Sequence, residues 1–295
     1  MSVRTFKDCE TAVSTVVSAV LFLGIIVALL TVIQVSYVPE WKTSAEQAHM
    51  ADVYYDMSVL RSNIDILSVA SASNPGNTMT FSAPIRAGGA SIPLVSPGRS
   101  SGTLGFVPGT PGMRITTNGT TISYDSGNFL EGLGTVYYTS ENSYFVDQTY
   151  AYESGALILA QGELSLMKQS PSIAIRRTDN SSNITLYLNA VQIPGTAKAI
   201  SSNSIEEVRI RHTSSATLYA GEVLFTDLTL TVDTPHPAAW EEFLRREATG
   251  AGLGTSEYSI SSSPTSVVLR LEGAPGEDIK ADVRKSVFEV SFNHF

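Results

Sequence analysis

The stretch Thr11–Pro39, TAVSTVVSAVLFLGIIVALLTVIQVSYVP, is 29 residues without a charge in a chain whose formal net charge is -9. About 20 apolar residues cross a hydrocarbon core of about 30 Å, so a run of this length crosses even when tilted. A secretory signal has an apolar core of only about 7 to 15 residues, and nothing else in the chain is apolar enough to wrap a buried core helix of this kind. The stretch therefore reads as a membrane-spanning helix. Arg4 and Lys7 precede it and Glu40 follows, which puts the amino terminus inside and the bulk of the chain outside the cell.

The helical pattern continues past Pro39. No Gly or Pro occurs from Glu40 to Ser71, and Met50, Val53, Met57, Leu60, Ile64 and Leu67 recur at spacings of three and four, a coiled-coil-like stripe. An interior proline costs about 3 kcal/mol or more, so the expectation is one bent helix of about sixty residues or two abutting ones. Arg61 and Asp65 form an i,i+4 pair, and Asn74-Pro75-Gly76 ends the helix. In the lipid half, Ser14 and Ser18, then Gly24 and Ala28, have the small-xxx-small spacing that lets helices approach closely. The apolar stripe needs cover from the chain's own downstream domain, from another copy, or from both. The chain thus divides into a short basic leader (1–10), a long helix (11–71) and an external region (72–295).

Downstream, short runs of alternating or β-branched residues separated by turn signals predict an all-β sandwich or open barrel. The fold class is α+β: a long helix, then a mainly antiparallel β domain with one short covering helix. Expected strands are Thr80–Ile85, Gly102–Val107, Met113–Thr117, Thr120–Tyr124, Gly134–Thr139, Ala156–Gln161, Ser172–Arg177, Ile184–Asn189, Ile205–His212, Glu222–Thr231, Val267–Leu271 and Lys285–Phe292. The prolines between residues 72 and 128 mark the strands there as edge strands. The covering helix opens at His236-Pro237 and closes at Gly250, with Trp240, Phe243, Leu244 and Ala248 on its buried face and Glu241–Arg245 and Glu242–Arg246 as ion pairs.

The acidic balance and a sequence pI near 5.0 leave no basic patch for nucleic acid. Cys9 is the one cysteine and lies before the apolar run, so the external domain has no disulfide. Three acceptor sequons for N-glycosylation, at Asn118, Asn180 and Asn183, fall on the outer side. Gly98-Arg-Ser100-Ser-Gly102 matches the nucleophile-elbow spacing but lacks its strand–turn–helix setting. The run Gly250-Ala-Gly252-Leu-Gly254 reads as a helix C-cap rather than a phosphate cradle. Neither the four scattered histidines nor Glu272, Glu277, Asp278 and Asp282 match a metal-site spacing, so no metal, cofactor or catalytic residue is expected. Tyr124, Phe129, Tyr137, Tyr138, Tyr144, Phe145, Tyr150 and Tyr152 crowd together either as sheet core or as a contact surface for glycan or protein.

The run Glu10-Thr-Ala-Val-Ser14-Thr-Val-Val-Ser18-Ala-Val-Leu-Phe-Leu-Gly24 resembles the start of archaeal type IV pilin-like proteins. Residues 135–163, TVYYTSENSYFVDQTYAYESGALILAQGE, resemble the external domain of the larger membrane-anchored members from halophiles and methanogens. The resemblance implies a non-enzymatic cell-surface filament subunit or minor pilin, with an adhesive role and with membrane lipid and other copies or pilin-like subunits as partners of its N-terminal helix. It also implies a subunit-aligning role for Glu10. No Gly or Ala precedes Glu10 in RTFKDCE, so a cleaved subunit and a permanent anchor both remain open. The alternative is a solitary anchored module that binds glycan or protein. A filament subunit would leave the stripe from 12 to 67 uncovered by its own β domain, whereas a solitary module would pack Met50–Leu67 on it.

Overall fold

The computed structural model describes residues 7–73, 79–89, 101–117, 120–121, 130, 132–177, 183–220, 225–273 and 278–294. It begins with α1 (Lys7–Val32), which passes through a π turn (Ile33–Tyr37) directly into α2 (Val38–Ser73). Pro39 explains the turn. Proline has no N–H to give, and its ring presses on the carbonyl four residues back, here that of Val35. Widening the preceding turn relieves that clash, and the Val38 N–H reaches five residues back to the Ile33 carbonyl. The proline is thus absorbed without ending the helix.

Among the described residues sixteen strands follow: β1 (Thr80–Arg86), β2 (Ser101–Val107), β3 (Gly112–Thr117), β4 (Thr120–Thr121), β5 (Thr135–Glu141), β6 (Thr149–Glu153), β7 (Ala156–Gln161), β8 (Leu164–Gln169), β9 (Ile173–Arg177), β10 (Ile184–Gln192), β11 (Lys198–Ser202), β12 (Ile205–Ala220), β13 (Asp227–Asp233), β14 (Tyr258–Ser263), β15 (Ser266–Glu272) and β16 (Ile279–His294). The covering helix α3 (Pro237–Gly250) lies between β13 and β14. Three sheets result, in the orders β1-β12-β16-β10-β9, β11-β2-β5-β6-β7-β8 and β14-β15-β13-β3-β4. The sheets are antiparallel apart from β10, which runs parallel to β16. The fold is the expected long helix followed by a β-rich domain with one short covering helix.

Two apolar cores share the long strands. One gathers α3, β13, β15, β9 and the first part of β16, with Trp240, Phe243 and Leu244 fully or almost fully buried. The other gathers the α2 stripe, β1, β2, β5, β6, β12 and the later part of β16. Ile279, Ala281 and Val283 serve the first core, and Phe288 and Phe292 the second.

The structure changes several strand expectations. β1 is an edge strand, as Pro84 within it requires. β2 and β3 are interior, because their prolines flank the strands and leave the ladder donors intact. Strands β6, β8, β11 and β14 were not expected. β8, β11 and β14 are rich in exposed or polar residues, and all three are edges.

The covering helix ends in a Schellman motif. Leu253 N–H donates to Ala248 O and Gly252 N–H to Thr249 O, with Gly252 at φ +71°. The left-handed residue is therefore Gly252, two positions beyond the expected stop. Glu241 pairs with Arg245 as expected. Arg246 instead donates to Ser170 Oγ at 2.8 Å and lies over the Phe243 ring.

Candidate functional site: the long helix and its seat on the β domain

The lipid-like half of the helix is bare. Val16, Leu21, Phe22, Leu23, Ile25, Leu29 and Leu30 are all exposed, and none of the most apolar window is buried. It is the one helix among the described residues long and apolar enough to cross a membrane, consistent with single-pass anchoring. Ser18, Gly24 and Ala28 lie in this half, and a Cβ added at Gly24 would meet nothing within 4 Å. Glu10 and Ser14 are in α1, but their side chains lie outside the described residues. At the end of the apolar run, the exposed rings of Tyr37 and Trp41 lie 6.1 Å apart. Amphipathic aromatics concentrate at membrane–water boundaries, and this pair was a legible signal that the sequence reading passed over.

The other half of the helix is sunk into the β domain. Met50, Val53, Met57, Leu60, Ile64 and Leu67 are each at most 2% exposed, packed in one core with Ile85, Leu104, Tyr138, Tyr152, Ile210 and Phe288. Burying each such side chain contributes about 1.5–3 kcal/mol, so the stripe supplies on the order of 10 kcal/mol of docking. The six residues meet their own chain, which is the arrangement expected of a solitary anchored module.

Polar contacts fix the helix along its length. Glu46 accepts hydrogen bonds from the successive backbone N–H groups of Ser143, Tyr144 and Phe145 at 3.0, 2.8 and 2.6 Å. A carboxylate in such a nest of amides binds as an anion would, and it clamps the β5–β6 loop to the helix. Lys42 lies over the exposed Tyr144 ring of that loop at 4.8 Å. One helical turn on, the Tyr138 hydroxyl donates to Ala87 O at 3.0 Å and lies 3.0 Å from His49 Nε2. Because Tyr138 gives its proton to Ala87, His49 must donate through Nε2–H. Burial lowers the His49 pKa from its ordinary value, the nearby Asp52 and Asp56 only partly opposing it, and burial raises that of Tyr138.

The strongest tie is Asp56 with Arg86. Arg86 grips the buried carboxylate through Nε at 2.9 Å and Nη2 at 2.7 Å, and its backbone N–H adds a third bond at 3.0 Å. Asp52 stands 3.2 Å from Nη1, and the bond to Asp56 raises the Arg86 pKa further. Farther along, Arg61 donates to Gly155 O and Ser170 O at 2.8 Å each and pairs with Asp65 at 3.2 Å. Another buried carboxylate, Glu153, accepts from Trp240 Nε1 at 2.9 Å and Thr234 Oγ1 at 2.8 Å, tying the covering helix to the β6–β7 turn.

The remaining sequence candidates scatter. Asn183 is half-buried and its side-chain oxygen accepts from the Asp278 N–H at 3.3 Å, while Asn118 and Asn180 lie outside the described residues. Ser100 also lies outside them, but Gly102 of the same motif does not. A Cβ on Gly102 would sit 2.1 Å from the Tyr138 hydroxyl, so this glycine makes room for the tyrosine that His49 contacts. Of the aromatic cluster, Tyr138, Tyr150 and Tyr152 are buried and only Tyr144 is well exposed. Tyr124 and Phe129 fall outside the described residues, as does Glu277. No group of His, Cys, Asp and Glu among the described residues could hold a metal ion. A family model described as a family of unknown function, DUF7289, matches residues 98–288. No curated protein and no solved structure matches the chain.

Proposed function

The chain belongs to the DUF7289 family of unknown function, and we propose that it is a membrane-anchored surface protein of the archaeal type IV pilin-like class, acting by structure and binding rather than by catalysis. The amino terminus lies in the cytoplasm and the β domain outside. The observation that carries the reading is the bare apolar half of a continuous helix ahead of the β domain. With Met50–Leu67 covered, contact with another copy or another pilin-like subunit is confined to the bare half, where Ser18, Gly24 and Ala28 allow close approach. Tyr37 and Trp41 mark where that half leaves the lipid.

The second reading is a solitary anchored module that binds glycan or protein, and the coverage of the stripe favours it. N-terminal sequencing of the protein from its native membrane separates the two. A mature start at or near Glu10 supports a processed filament subunit, and an intact start at Met1 or Ser2 leaves the permanent anchor. Protease protection in sealed vesicles tests the anchor itself: digestion of the β domain from the cytoplasmic face would overturn both readings.

A further inference from the structure

The β5–β6 loop and the β7–β8 turn leave the same end of one sheet. Thr149 pairs with both Thr139 and Ala160, and Gln161 pairs with Leu164. Gln148 Nε2 donates across to Gln161 Oε1 at 3.4 Å. The helix fixes which way this end faces. Glu46 holds the loop, while Arg61, four turns farther along, reaches the Gly155 carbonyl in the β6–β7 turn at the opposite end. The loop and the β7–β8 turn therefore look back along α2 toward the bare apolar half.

Distance along the helix puts them level with the aromatic pair. At about 1.5 Å per residue, Lys42 lies about 1.5 Å and Glu46 about 7.5 Å beyond Trp41. The headgroup layer adds about 5–7 Å on each side of a hydrocarbon core. With Trp41 at that boundary, the loop that Glu46 clamps and Lys42 covers sits at headgroup height.

This end carries apolar side chains that the fold does not use. Tyr144 is 45% exposed, Val146 41%, Leu164 77% and Leu166 55%. Leu164 is more exposed than any large apolar residue of the bare half among the described residues. Single apolar residues scattered over a surface need no explanation, but these gather at one end. Leu164 and Leu166 share a face with Lys168, which lies over the Tyr54 ring of α2, whereas Ser165 on the other face accepts from the Ala239 N–H. The loop also holds its residues out. Phe145 packs against the core beneath α2, Asn142 Nδ2 donates to Val146 O at 3.0 Å, and Asp147 accepts from the Asn142 N–H at 2.8 Å. Tyr144 and Val146 flank Phe145 on backbone already ordered, so docking them costs little further entropy. Glu40, Glu141 and Glu163 are exposed around this end. The surface therefore suits aromatic and aliphatic insertion rather than attraction to anionic headgroups.

We propose that this end of the β domain rests on the membrane that holds the helix, with Tyr144, Val146 and Leu164 set into the lipid headgroup layer. The proposal rests on the reading of the bare half as an anchor, and adds that the β domain is seated on the bilayer instead of standing clear of it on a stalk.

Nitroxide labelling of the full chain in phosphatidylcholine nanodiscs tests it, on a Cys9→Ser background that removes the one native thiol. Labels are placed at Leu23→Cys, Val146→Cys, Leu164→Cys and Ser62→Cys, the last exposed and about 30 Å along the helix from Trp41. Collision with an aqueous nickel complex should be at least threefold lower at 146 and 164 than at 62, and collision with oxygen, which concentrates in lipid, should be higher. Equal collision at the three sites overturns the proposal, as does a fall in both relaxants at 146 and 164, the mark of a protein contact. A Leu23 label shielded from nickel beside freely accessible labels at 146 and 164 overturns the seating alone, whereas a Leu23 label that meets nickel freely overturns the anchor and the seating with it. Tyr144→Ser/Val146→Ser should raise nickel collision at residue 164 at least twofold, and no change counts against the contact. Hydroxyl-radical footprinting of the unsubstituted chain in the same discs needs no variant. Tyr144 should oxidise at least threefold more slowly than Tyr55, which is 65% exposed, and rates in proportion to the two exposures would overturn the proposal.

Discussion

From Thr15 to Tyr37 the helix is apolar on every side, whereas from Met50 to Leu67 it is apolar on one side and carries Asp52, Asp56, Arg61 and Asp65 on the others. The side chains of the first half are exposed, and those of the second are covered along the whole stripe. An all-round apolar helix offers a sheet no preferred side and suits a solvent that is apolar all round. A striped helix has one side to bury, and its flanking charges decide how it sits. Asp56 reaches the backbone and side chain of Arg86 on the edge strand, and Arg61 reaches carbonyls at the β6–β7 turn and beyond β8. The polar residues beside the stripe therefore set the register of docking.

The contrast is most sharply broken in the stripe itself. Leu60→Ala should lower unfolding stability by about 2–5 kcal/mol, read by urea titration in detergent, while Leu23→Ala in the bare half leaves the midpoint where it was. Equal effects at the two sites would mean that the halves do not differ in packing. Next in size, Arg86→Ala is expected to cost about 3 kcal/mol, since Asp56 stays buried with only the residue-86 N–H to hold it. Asp52→Ala, at the exposed partner, should change stability by less than about 0.5 kcal/mol. Glu46→Gln keeps the shape but removes the charge facing three amides, a loss of about 1 kcal/mol. Faster amide exchange at residues 143–145 would report it, and unchanged exchange would show that the loop holds without the clamp.

The smallest expected effect depends on pH. His49 has a folded-state pKa below its ordinary value because burial disfavours the charged ring. As pH falls below the unfolded value of about 6.5 the unfolded chain takes up a proton that the folded chain refuses, so stability is lost from there down through the folded pKa. Above pH 7 this contribution is fully present. His49→Gln can still donate to Tyr138 but cannot titrate, and melting temperatures from pH 7.5 to 5 should fall less steeply in it than in the wild type. Parallel curves would remove His49 as the source.

Much of the helix was legible in the sequence because both of its signals are strong: a long uncharged run, and six apolar residues at spacings of three and four. What covers the stripe was not legible, since its partners, Ile85, Leu104, Tyr138, Ile210 and Phe288, come from five separate strands. The covering helix announced itself through Pro237 and the Trp240–Phe243–Leu244 face, but its cap fell at Gly252 because three glycines in five residues offer equivalent stops. Strand β12 was read only as far as His212, for a physical reason: the Thr213 bulge breaks the period of two on which the reading depends. The latches at Glu46, His49 and Arg86 carry no local motif, because each joins residues at least thirty positions apart.

The π turn at Ile33–Tyr37 does more than accommodate Pro39. It holds one residue beyond an α-helical turn, so everything after it is rotated by about 100° about the helix axis compared with an unbroken helix. The β domain is packed on α2, and its azimuth around the bare half is therefore set by this single inserted residue. Which flank of the β domain lies over which side of the bare half follows from a choice made at the edge of the apolar segment.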